Sequence, residues 1–178
     1  MTASLTLRRA ALADIPVLHP IMNAAIRDLL KPFLSAAEVE ASFEIMGMDT
    51  QLITDGTYFV AMIGDDIAGC GGWSRRATLF GGDHSAGRDA ALLDPKIDAA
   101  RVRAMYTAPA FTRRGVGRAI LEACESAARA EGFQRVELVA TMAGQPLYAA
   151  CGYKPIAAMS STTSTGVVIP LMRMGKAI

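Results

Sequence analysis

Residues 111–123, FTRRGVGRAILEA, set two arginines against a Gly-Val-Gly step and run directly into a helix-like pattern. The first backbone N–H groups of a helix lack intrahelical partners and point outward, and the helix dipole favours negative charge there. Gly115 and Gly117 let an anion approach the main chain with no Cβ in the way, and Arg113, Arg114 and Arg118 add charge-assisted donors. Holding a phosphorylated ligand is the chemistry that suits this combination. A surface turn with ordinary solvated arginines is the plain alternative.

Two familiar phosphate loops do not match. A Walker A loop needs Gly-Lys-Ser/Thr after its spacer, and none follows. A dinucleotide fingerprint needs a small residue where Ile120 stands, and a first glycine directly after its strand, where about eight residues intervene. Of the 178 residues only 61 follow Gly117, too few for the rest of such a domain. Other reactive side chains offer less. Cys151 lies among Ala149, Ala150 and Gly152 with only Lys154 nearby, a setting for an inert packed thiol. His84 has one adjacent acid, Asp83, which is too few ligands for a metal, so it reads as a solvated loop residue and no metal is expected.

The elements needed to position the glycine loop are legible around it. SLTLRRA (4–10) alternates like a strand, and ADIPVLHPIMNAAIRDLL has Asp14 at the N-cap, Pro16 in the first turn and Leu18, Met22 and Ile26 along one face. Ser35 and Glu38 have capping-box spacing and open a second helix. Two apolar runs, Tyr58–Ile63 and Ile67–Trp73, flank a GDD turn and predict a hairpin, with Gly69, Gly71 and Gly72 marking a bulge or close backbone approach. The long polar connection 74–100 is of the kind that is functional or mobile. VRAMYT (102–107) is the next strand, halted by Pro109. The helix after the glycines buries Ile120, Cys124, Ala127 and Ala128, pairs Glu125 with Arg129 at i,i+4, and stops at Gly132. RVELVA (135–140) is a strand, GQPLYAAC a short helix, and 155–163 and 166–174 two closing strands.

Composition bounds the rest. Hydrophobic residues at 52% and charged residues at 20% suit one compact domain spanning 1–178 and argue against disorder. A net charge of +1 draws the molecule to neither nucleic acid nor membrane, so any anion must be met locally. Cys70, Cys124 and Cys151 are odd in number and form no CxxC pair, which reads as reduced thiols. Without a signal-peptide pattern or a membrane-length apolar run, the expected location is the cytoplasm.

AMYTAPAFTRRGVGRAILEACESAARAEGF, followed by a strand and PLYAACGYKP, resembles the core of the GNAT-type (GCN5-related) N-acetyltransferases. The family signature is Q/R-x-x-G-x-G/A with a downstream tyrosine just before GF or GY; either half alone is weak, and together at this spacing they are specific. The resemblance implies an α/β (α+β) fold, the acyl-CoA N-acyltransferase (GNAT) fold. Its single mixed, mostly antiparallel sheet of six to seven strands is flanked by helices. It further implies that Met105, Tyr106 and Thr107 hydrogen-bond the pantetheine arm of acetyl-CoA through their backbone. Arg113, Arg114, Gly115, Val116, Gly117 and Arg118 would wrap its pyrophosphate, with Thr112 at the signature's Q/R position. The family often has an asparagine where Thr141 stands.

The same resemblance makes Tyr148 the general acid that protonates the departing thiolate, where the residue alone reads equally as a buried tyrosine packing the short helix. A backbone N–H within 105–107 would polarise the carbonyl. Glu137, the only carboxylate on its strand, faces either the cleft or solvent; it, a bound water or a residue of 74–100 would serve as base. The implied acceptor is a small-molecule or protein amine attacking directly in a ternary complex, its pocket built from 29–48 and 74–100. A non-catalytic acyl-CoA-binding module of the same fold is the rival reading. Pairing through sheet edges, common in the family, leaves a homodimer open.

Overall fold

The computed structural model describes residues 4–178. Seven strands form one sheet in the order β1-β2-β3-β4-β5-β7-β6. In chain order these are β1 (Leu5–Arg9), α1 (Ile15–Leu30), α2 (Ala36–Ser42), α3 (Thr50–Thr54), β2 (Tyr58–Ile63) and β3 (Asp66–Ser74). They are followed by β4 (Ala100–Thr107), α4 (Val116–Ala130), β5 (Arg135–Ala140), α5 (Gln145–Ala150), β6 (Lys154–Thr162) and β7 (Val168–Ala177). Neighbouring strands run antiparallel except β4 and β5, which are parallel. The mixed, mostly antiparallel sheet is therefore the one the sequence implies.

Helices cover the two faces of the sheet, and strand alternation feeds both. On β2, Ala61 and Ile63 join α4 residues Ile120, Leu121 and Cys124 in one core, while Tyr58 and Val60 join α1 residues Leu18, Met22 and Ile26 in the other. Ser35 and Glu38 do form the reciprocal capping box of α2. Asp14 occupies the N-cap position of α1 without capping it. Its carboxylate instead accepts from Ala11 N at 2.7 Å and from both Nη atoms of Arg8 at 2.8 Å, closing the turn before the helix.

Glu125 departs from the expected i,i+4 pair with Arg129. It is buried, and its Oε2 accepts from Lys176 Nζ of β7 at 2.8 Å, because the α4 face that bears it packs onto the sheet. Trp73 fills the core against Phe133, with ring centroids 6.0 Å apart. Gly132 adopts φ +93° just past α4, the left-handed turn that ends the helix.

The connection between β3 and β4 is strapped down rather than free. Arg76 pairs with Asp55 at 2.7 Å, Arg75 with Glu131 at 2.6 Å, and His84 Nε2 donates to Phe43 O at 2.7 Å. Beneath it lies a buried triad, in which Asp49 receives Arg103 Nη1 at 2.6 Å and Arg88 Nη2 at 3.0 Å. Arg103 Nη2 also donates to Gly81 O, and Arg88 Nη1 to Gly82 O at 3.0 Å. Residues 81–88 are thereby fastened to β4 and to the start of α3.

Burial raises the pKa of all four tyrosines, Tyr58, Tyr106, Tyr148 and Tyr153, and pushes the Cys70 thiol up to about 12. A folded-state pKa above the unfolded one contributes stability that is complete below the unfolded value and is lost as pH rises. Hydrogen bonds from Arg8 and Arg76 lower the Asp14 and Asp55 carboxyls, whose contribution is lost as pH falls. Thermal melts should thus hold a plateau between about pH 5 and 8.5, then decline steeply above about pH 10, where free phenols ionise. A midpoint that holds unchanged to pH 11 would contradict this assignment.

Candidate active site

The parallel pair β4 and β5 is in register only at Ala100–Val136 and Arg101–Glu137. Beyond that point the two strands part, and the sheet opens into a cleft. Glu137 stands at the base of the split, where its Oε2 accepts from Arg101 Nη1 at 2.8 Å and from Arg173 Nε at 2.9 Å. It does not line the cleft. Two cross-strand ion pairs leave it riveting β4, β5 and β7 together, which removes it as a candidate base.

One wall of the cleft is β4, and that strand is bulged. Cys70 pairs with Tyr106 and Gly72 with Arg103, so two steps along β3 answer three along β4. The extra residue of a bulge is left out of the ladder and re-aims its neighbours. Ala104 takes up the distortion at φ +52°, a conformation that L residues rarely adopt, and its carbonyl accepts from the buried Tyr58 hydroxyl at 2.8 Å. Gly71 accommodates the bulge, since a Cβ there would run into Met105 Sδ. Met105, Tyr106 and Thr107 all line the cleft. Tyr106 is buried, and its phenol oxygen accepts from Gly47 N at 2.8 Å.

The start of α4 forms the second wall. Gly115 is the N-cap at φ +81°, no side chain caps the helix, and its first turn carries no acid. Arg113 precedes it at φ +62°. A Cβ on Gly115 would meet nothing within 4 Å, so the space before these amides is open. Arg113, Arg114 and Arg118 are exposed and enter no ion pair among the described residues. Arg114 lies over the Phe111 ring at 5.2 Å. Thr112 turns its hydroxyl back to Pro109 O at 3.1 Å, closing the turn.

Gly117 lines the cleft and also faces α5, where a Cβ would meet Leu147 Cδ2 at 2.6 Å. Its bareness lets α5, the helix that carries Tyr148, sit close against α4.

Tyr148 forms the third side. Its ring packs beside Tyr153, with centroids 5.9 Å apart, and the residue is 8% exposed. Burial holds its pKa above the ordinary phenol range, and no hydrogen bond contributes to that shift. Such a phenol keeps its proton at physiological pH and has it free to give. Thr141 Oγ1 accepts from Gly144 N at 3.3 Å, which commits it to the turn into α5.

Tyr148, the 105–107 segment and residues 113 and 115–118 line one cleft of about 860 Å³; Arg114 is the sequence-assigned residue outside its lining. Cys151 packs against the core and His84 faces a separate small pocket with His19, so neither joins the cleft. Among the described residues no group of three or more His, Cys, Asp or Glu is placed to hold a metal.

One lining residue has no sequence signal at all. Asp28 is an exposed acid on an amphipathic helix, indistinguishable from a solvated side chain, yet it is the one carboxylate on the cleft lining. Phe80 lines the cleft too, whereas Trp73 belongs to the core.

A split sheet, a bulged strand and an uncapped basic helix start thus meet around one cleft. The acetyltransferase (GNAT) family model matches residues 23–153, and the chain belongs to that family. No curated protein sequence matches the chain. Among solved structures it is similar to a GCN5-related N-acetyltransferase from Rhodopseudomonas palustris, at TM-score 0.73 and 19% identity over 100% of this chain and 98% of that one. It is also similar to PaiA N-acetyltransferase from Thermoplasma acidophilum in complex with coenzyme A, at TM-score 0.66 and 12% identity over 98% and 99%. A ribosomal-protein-alanine N-acetyltransferase from Brucella melitensis has TM-score 0.65 and 17% identity over 97% and 99%. At these identities the likeness is one of fold. No helix among the described residues is long and apolar enough to cross a membrane.

Proposed function

We propose that this chain is a single-domain, acetyl-CoA-dependent N-acetyltransferase that passes the acetyl group to a primary amine by direct attack in a ternary complex. The observation that carries the reading is the convergence on one cleft of an open, uncapped helix start and a buried phenol with a free hydroxyl. Arg113 to Arg118 would hold the diphosphate, mainly through backbone N–H groups, with Arg113 and Arg118 as charged donors. The parted edge of β4 at Met105, Tyr106 and Thr107 would pair with the pantetheine arm. Bound acetyl-CoA supplies an activated thioester.

In the reaction the amine nitrogen forms a bond to the acetyl carbon and the carbon–sulfur bond breaks. The ammonium sheds one proton to solvent before attack and the new amide nitrogen sheds another. Tyr148 gives its proton to the leaving sulfur and is reprotonated from solvent. An amide of the β4 bulge would stabilise the charge that develops on the carbonyl oxygen. Three unpaired cysteines support a cytoplasmic setting.

The rival, a binder that holds acyl-CoA without turning it over, draws on the absence of a buried carboxylate from the cleft lining. Turnover separates them. Release of free thiol from acetyl-CoA should rise with added primary amine, and a binder would show affinity without release. Calorimetry tests the loop independently. Gly115→Ala puts a side chain at φ +81°, at about 1–2 kcal/mol, and into the open space before the helix. Coenzyme A affinity should fall by about tenfold or more. Unchanged affinity would remove residues 113–118 from the site.

A further inference from the structure

Away from the helix start the cleft lining turns apolar, and Met46, Phe80, Val139 and Leu171 belong to one hydrophobic cluster. Leu29 and Phe33 line the cleft as well, and Phe33 is 50% exposed, a large aromatic ring on the rim with water beside it. Apart from Arg113 and Arg118 of the loop, the charged residues of the lining are Asp28 and Arg103. Asp28, one turn before Phe33 and Pro32, is exposed and enters no ion pair among the described residues. Arg103 lies on the floor, 5% exposed, its charge shared with Asp49 and Arg88.

These charges are arranged so that a single cation is welcome at the rim and unwelcome below. The triad holds two guanidinium groups and one carboxylate, a net positive charge that disfavours a second cation nearby and favours an amine that has already lost its proton. Apolar walls reject polar groups that they leave without partners. Phe80 and Gly81 also line the cleft, and Arg103 and Arg88 tie Gly81 and Gly82 down to the buried Asp49. A lining segment anchored in this way gives the cleft a fixed wall, which suits a small acceptor.

We infer that the acceptor is a small primary monoamine with an aryl or branched-alkyl body, its body against Phe33, Met46 and Phe80 and its ammonium received by Asp28. This rests on the acetyltransferase reading above and specifies its substrate class. A diamine or polyamine would carry its second ammonium onto apolar wall or toward Arg103. An amino acid would set its carboxylate against Asp28. Asp28 is thereby a specificity residue that captures the amine at the rim before the proton leaves.

The test is a set of initial rates of thiol release from acetyl-CoA with phenethylamine, isoamylamine, putrescine, spermidine, phenylalanine and glutamate. The two apolar monoamines should exceed all others in kcat/KM by at least tenfold. Asp28→Asn should raise KM for phenethylamine about tenfold with kcat nearly kept, Asp28→Glu should restore most of it, and neither should move the melting midpoint, since Asp28 is exposed. Fastest turnover with a polyamine or an amino acid, or an unchanged KM in Asp28→Asn, overturns the assignment while leaving acetyl transfer intact. Coenzyme A binding without amine-stimulated release from any of the six overturns both.

Discussion

Tyr148→Phe is expected to lower kcat by about 100-fold while leaving coenzyme A affinity and the melting midpoint within error of the parent. General acid catalysis by a positioned side chain contributes factors of about 100 to 10,000, and the lower figure corresponds to about 2.7 kcal/mol. The substitution is unusually clean here. The hydroxyl contributes no protein hydrogen bond to lose, and phenylalanine keeps the ring that packs beside Tyr153. A fall in rate with intact stability therefore isolates the proton.

The pH profile carries a second signature. Burial holds the Tyr148 phenol above its ordinary value, so it stays protonated as pH rises and should impose no alkaline limb on kcat below about pH 10. The acidic limb belongs to the amine, which must be neutral to attack. A Tyr148→Phe enzyme as fast as the parent would assign the acid elsewhere.

Asp49→Ala is expected to be the most destabilising single substitution outside the apolar core. Asp49 is 0% exposed and neutralises Arg103, whose side chain is 3% exposed. Removing one partner of a buried pair leaves an uncompensated charge in low dielectric and costs about 3–5 kcal/mol. For a chain of this size that converts to about 6–20 °C in melting midpoint. Arg103 Nε already lacks a partner, so the guanidinium would have only Gly81 O to fall back on.

Arg88 reaches the same carboxylate from a partly exposed position, with 24% of its side chain accessible, and can turn to solvent, so Arg88→Ala should cost much less. Limited proteolysis should show cleavage within 75–98 appearing in Asp49→Ala first. A midpoint within about 2 °C of the parent would show that the triad does not hold this segment.

The local signals in the sequence carried most of the fold. A capping box at Ser35 and Glu38 and a six-residue alternating run at 135–140 each depend on neighbours a few positions away, and each stands where its pattern put it. The GDD turn is there too, narrowed to Gly64 and Asp65 because Asp66 already pairs with Ile63. What failed to show was settled at long range. Glu125 has a suitable arginine one helical turn on, yet the packing of α4 on the sheet presents it to Lys176 instead. The bulge of β4 falls on Ala104, a residue with no preference for positive φ, because the Tyr58 hydroxyl and the bare backbone of Gly71 hold it there.

The site divides along the same line. The loop 113–118 and Tyr148 belong to contiguous motifs, and the structure brings most of their members to one cleft. Gly117 was legible as a residue of the loop, but its approach to Leu147 was not, since that depends on where α5 docks. Glu137 illustrates the limit of alternation: the pattern states that it lies opposite Val136 and Leu138, but only the register with Arg101 and Arg173 discloses the two ion pairs that occupy it. Asp28 carries no pattern, and only the closing of α1 over the split sheet gives it a place on the lining.

The most direct test of the account is a crystal structure of the protein soaked with coenzyme A. The diphosphate oxygens should lie about 2.7–3.2 Å from main-chain nitrogens between Arg113 and Arg118, with the thiol sulfur beside the Tyr148 hydroxyl. A diphosphate bound away from the start of α4, or a sulfur on the far side of β4 from Tyr148, would contradict it.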